Sequence, residues 1–139
     1  MIDMVKRRDV AKATMARFQH QPFKLGKNDC VRMAAYVLRK RGYRPQLGKA
    51  GTYTTLLGAK RALKRAGFNT IADALDALGL ERIAPAAARP CDIIMVPGEG
   101  PLDGALHIAV GNGRTLGYHE DIDGADILQP VEFIAAWRT

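Results

Sequence analysis

The stretch PFKLGKNDCVRMAAYVLRK, residues 22–40, carries a glycine-containing loop into a helical pattern, with Cys30 at the junction directly after Asp29. Asn28 and Asp29 are both good N-cap residues, and Val31, Ala34, Ala35, Val37 and Leu38 recur at helical spacing. The pattern predicts a helix from about Cys30 to Arg41, stopped by Gly42. A thiol in that first turn faces unpaired backbone N–H groups and the positive pole of the helix, and both favour thiolate. Free cysteine is also among the most often buried residue types, where it serves as a small hydrophobe. Cys30 therefore reads as either a nucleophile or a core residue.

Working outward, apolar residues Val5, Val10, Ala13, Met15 and Phe18 predict a loose amphipathic helix over about residues 3–19, ended by the Pro22 loop. Thr52, Thr54 or Thr55 can cap a third helix that runs through KRALKRA to Gly67, and Thr70 can cap a fourth, IADALDALG. After Pro85 the chain turns to short β-type runs: CDIIMVP (91–97), ALHIAVG (105–111), RTLGYHE (114–120) and ADILQP (125–130). The tail VEFIAAWRT fits a helical turn or an edge strand equally. Helices followed by antiparallel strands make an α+β plan, and 139 residues make one domain, 1–139, large enough to bury a core without staples.

Composition narrows the classes. No apolar run reaches the ~18 residues of a membrane span, and the charged start MIDMVKRRDVAKA lacks the apolar region of a signal peptide, so a soluble protein made in a cytoplasm is expected. Two cysteines, Cys30 and Cys91, are too few for a disulfide scaffold or a paired-knuckle zinc site. Cys91 reads as a buried strand residue, and a metal set of Cys30, Cys91, His107 and His119 has no spacing signature. The net charge of +7 gathers in KRR (6–8), RKRGYR (39–44) and KRALKR (60–65) and would favour anionic surfaces such as nucleic acid or bacterial cell wall polymers. Without interleaved aromatics or a recognised motif these runs specify no nucleic-acid site and also read as solvated helix faces.

A cysteine nucleophile needs a base and a group that orients the base. Of the three histidines, nothing marks His20, whereas His107 and His119 share the β region. A two-residue turn at Asn112-Gly113 would pair His107 with Tyr118 and leave His119 on the other face; a three-residue loop, 111–113, would pair His119 with Ala105 and put both histidines on one face. The second register lets one imidazole orient the other and is the one expected here. If the two part company, Asp103 or Asp121 could take the orienting role.

The order of a glycine loop, D-C at a helix start, a strand CDIIMV and a strand HIAVGNG followed by a second histidine resembles the NlpC-like branch of papain-fold cysteine peptidases, which cut peptide bonds in bacterial cell wall. PFKLGKNDC is similar to the P-F-x-W-G-x-x-D-C motif of small phage-tail relatives, and the resemblance runs from Pro22 to AWR at 136–138. It implies a papain-like domain, with Cys30 as nucleophile, His107 as base and His119 as its orienter, and no cofactor. It also implies a virion setting at the phage tail tip, with tail hub proteins and peptidoglycan as partners. Leu25 replaces the motif's aromatic, Cys91 replaces the usual glycine before the aspartate, and the family's base aligns with Ala105, one pleat from His107 on the same strand face. Two functions follow from the resemblance: a thiol hydrolase acting on cell wall peptide, or a catalytically inactive tail-tip component that binds hub proteins with the same fold.

Overall fold

The computed structural model describes residues 2–45, 53–98, 104–119 and 122–139. Among these, four helices, α1 (Ile2–Phe18), α2 (Cys30–Lys40), α3 (Leu56–Arg65) and α4 (Ile71–Ala77), precede a six-stranded antiparallel sheet. Its strands are β1 (Glu81–Ile83), β2 (Ile93–Val96), β3 (Ala105–Gly111), β4 (Arg114–Gly117), β5 (Asp126–Leu128) and β6 (Ala135–Arg138), in the order β1-β6-β2-β3-β4-β5. The expected α+β plan is present, and the ambiguous tail is a strand, β6, which sits inside the sheet between β1 and β2. β1 was not expected: three residues with one half-buried side chain give no periodic signal.

The helix starts follow their caps. Asp29 accepts from the Arg32 N–H, Thr55 from Gly58 N–H and Thr70 from Asp73 N–H, each satisfying a donor that its helix leaves open. In α1 the buried residues are Arg7, Ala11, Thr14 and Phe18, a face rotated from the expected one, and Val5 is exposed. Arg7 is drawn inward because its guanidinium donates to Asp92 Oδ1 at 2.8 Å, to the Thr139 carbonyl at 3.2 Å and, near the surface, to Asp3 at 2.7 Å. Asp92 is fully buried and also accepts from the Thr139 and Arg89 N–H groups, so this ion-paired knot pins α1 to the start of β2 and the end of β6.

The sheet is apolar on both sides, unlike the usual antiparallel sheet with one wet face. Leu106, Ile108 and Leu116, with Ile93, Met95 and Trp137, pack against α2 residues Met33, Ala34, Val37 and Leu38 in the main core. Ile94, Val96, Ala109 and Ala136 form a second cluster, joined by Ile83, Ala88 and Ala105. Along β3, even-numbered side chains therefore face the helices and odd-numbered ones face away.

Candidate functional site

Cys30 opens α2 as expected, held by the loop before it. Asp29 Oδ2 accepts from the Gly26 N–H at 2.7 Å and the Tyr53 hydroxyl at 2.8 Å, while Oδ1 caps the helix. Gly26 has φ +83°, and a Cβ there would lie 2.5 Å from the Tyr53 carbonyl oxygen, so only glycine lets the loop close against Tyr53. The half-buried Cys30 packs against the main core, and backbone N–H groups of Leu106, Cys30 and Val31 favour its thiolate. Burial outweighs them: it pushes the thiol up to about 11, and the adjacent Asp29 carboxylate adds to the rise. The pull toward thiolate expected at the helix pole is opposed here. The same aspartate that caps the helix puts a negative charge beside the sulfur, and desolvation exceeds the pull of the dipole.

His107 lies on β3 opposite Ile94 of β2, within the odd-numbered set that faces away from the helices. Its ring covers Gly117, where a Cβ would sit 2.5 Å from Nε2, and its Nδ1 is 2.7 Å from Thr115 Oγ1. Burial lowers its pKa to about 4, with the nearby His119 lowering it further, so the imidazole is neutral at pH 7. His107 leaves β3 on the face opposite the helix-side core in which Cys30 packs, while the Cys30 sulfur reaches the β3 backbone at the Leu106 N–H.

The β3–β4 turn is tighter than expected. Gly111 pairs with Arg114 across Asn112-Gly113, both with positive φ (55° and 73°), and a bulge between Ala109 and Gly111 absorbs one residue. The bulge restores the parity that a three-residue loop would have given: Ile108 faces Leu116 and Ala109 faces Thr115. His119 lies beyond the end of β4, exposed and within electrostatic range of His107. The group on His107 Nδ1 is instead Thr115, a residue that the sequence reading passed over although its register marks it as His107's diagonal neighbour. Asp103 and Asp121 lie outside the described residues.

Cys30's own side of the sheet carries Tyr118, also missed. It packs against the main core, stacks edge-on with Phe23 at 5.5 Å, and has a buried hydroxyl without a hydrogen-bond partner among the described residues. Burial pushes that phenol up to about 12, with Asp29 and Cys30 adding to the rise, so it is a neutral donor and no base at pH 7. His20 is exposed, with φ +65°, and its N–H donates to the Ala125 carbonyl. Cys91 is buried as expected, but it occupies a turn before β2 at φ +66°, a conformation that glycine adopts more readily. Among the described residues no cluster of His, Cys, Asp or Glu could hold a metal ion, and no helix is long and apolar enough to cross a membrane.

A family model described as a domain of unknown function, DUF6950, matches residues 5–139. No curated protein matches the chain.

Proposed function

We propose that this chain, which belongs to the DUF6950 family, is a papain-like domain of the NlpC-like kind that works without thiol-hydrolase chemistry, as a hub-binding component of a phage tail tip. The phage setting rests on the resemblance of PFKLGKNDC to the tail-associated motif. The observation that carries the choice between the two functions is the orientation of His107, which leaves β3 on the face opposite the core in which Cys30 packs. General-base activation of a thiol requires hydrogen-bond reach, directly or through one water, and a side chain that leaves β3 on the other face is directed away from it. The electrostatics agree: a thiol near 11 and an imidazole near 4 give a neutral pair at pH 7. What the D-C junction does in this reading is structural, since Asp29 locks loop, helix and Tyr53 together.

The test is digestion of purified peptidoglycan by the wild-type chain and by Cys30→Ala, with new amino and carboxyl termini counted. We expect no Cys30-dependent release, together with normal incorporation of Cys30→Ala into tails. Cleavage that disappears in Cys30→Ala would restore the hydrolase reading.

A further inference from the structure

Arg7, Arg41, Arg82 and Arg138 are each paired with a carboxylate, on Asp3, Asp76 or Asp92, and knit α1, α4 and the sheet together. Lys60, Arg61 and Lys64 on α3 have no carboxylate partner among the described residues, and α3 itself holds no acidic side chain. Helix geometry gathers them. Ala59 and Ala62 are the buried residues of α3, and Leu57, Lys60, Arg61 and Lys64 fall on the opposite arc, where Arg61 and Lys64 are exposed and Lys60 is half-buried. At the N-terminal end of that arc Leu56 and Leu57 are 43% and 54% exposed. α3 thus turns outward a pair of leucines followed one turn on by cations.

We infer that this face of α3 docks an acidic protein segment that carries apolar side chains among its carboxylates. The inference rests on the hub-binding reading and names the chemistry of the partner. Charge complementarity supplies the sign: three cations with no carboxylate partner among the described residues select an anionic partner and steer its approach. The leucines supply the class. A phosphate polymer has nothing apolar to cover them, and a lipid surface calls for a broad apolar helix face, whereas the apolar residues on the inward face of α3, Ala59 and Ala62, are buried with Tyr53. A protein segment satisfies both, with carboxylates over Lys60, Arg61 and Lys64 and an aliphatic side chain over Leu57.

The experiment uses fluorescence anisotropy of a labelled synthetic peptide of glutamates and leucines, titrated with the full chain. Inorganic polyphosphate and phosphatidylglycerol vesicles serve as competitors. We expect the peptide to bind in low salt and to weaken at least about tenfold with K60E/R61E/K64E and again on raising the salt to about 0.5 M. Leu57→Ser should weaken the peptide severalfold. Circular dichroism checks folding of each variant, and K60Q/R61Q/K64Q replaces the reversal if it unfolds. Absence of peptide binding, binding indifferent to the charge changes, or displacement by polyphosphate or vesicles as effective as by unlabelled peptide would overturn the inference. Running the peptidoglycan digestion beside the titration separates the two levels: absent docking with no hydrolysis removes the α3 surface alone, and Cys30-dependent hydrolysis removes the reading beneath it.

Discussion

Acid should unfold this protein early, through His107. The imidazole is 4% exposed, and its pKa falls from 6.5 to about 4 chiefly because burial disfavours the charged ring. The sign follows from proton uptake: between pH 6.5 and 4 the unfolded chain binds a proton that the native chain refuses, so stability is full above 6.5 and drains as pH falls toward 4. At pH 5 the unfolded imidazole is nearly all protonated and the native one nearly all neutral, a loss of about 2 kcal/mol, approaching about 3 kcal/mol at pH 4. Asp3 and Asp76, lowered to about 2 from 3.8 by their arginine partners, act only below this window. Urea unfolding at pH 7.5 and pH 5 reads the loss in wild type and in His107→Leu/Thr115→Val. The double variant removes both partners of the Nδ1 bond together and so avoids stranding one buried polar group. The wild type should lose about 2 kcal/mol more than the double variant between the two pH values. Equal losses would refute the buried, neutral imidazole.

Gly117→Ala should destabilise by about 1–3 kcal/mol, because the new Cβ meets the His107 ring, and His107→Ala in the same chain should recover part of the loss. Asp92→Ala should cost about 3–5 kcal/mol by leaving the buried Arg7 guanidinium without its buried carboxylate, with only the exposed Asp3 still paired to it, which denaturant titration would show as a lowered midpoint. Cys30, with its thiol near 11, should react with iodoacetamide at pH 7.5 at roughly one three-hundredth the rate of an unhindered cysteine near 8.5; mass spectrometry of the native adduct checks this, and labelling at the free-thiol rate would contradict it.

Caps and short-range periodicity made much of the helical half readable. Asp29, Thr55 and Thr70 announce their helices by local hydrogen bonds, and α2 buries Met33, Ala34, Ala35, Val37 and Leu38 at the spacing its sequence shows. The buried face of α1 was not readable, since Arg7 turns inward only because Asp92, 85 residues away, waits there. β6 resisted assignment for a similar reason: Ala135 to Arg138 gain strand character from β1 and β2 on either side. At the candidate site, the parity of the β3–β4 hairpin was readable and the choice of face was not drawn. The signal was present in β3, where bulky Leu106 and Ile108 alternate with Ala105, His107 and Ala109, and bulky residues fill the wider gap under a helix. The raised Cys30 thiol depends on desolvation by the assembled core, which no local pattern states.

The separation of Cys30 from His107 is tested most directly by following the His107 imidazole nitrogens by NMR as a function of pH, in the wild-type chain and in Cys30→Ala. We expect a midpoint near 4 in both, unchanged by removal of the sulfur, because His107 leaves β3 on the face away from the core in which Cys30 packs. A midpoint near or above 6.5 in the wild type that falls by more than about one unit in Cys30→Ala would mean that thiolate and imidazolium share one site, and the non-catalytic reading would fail.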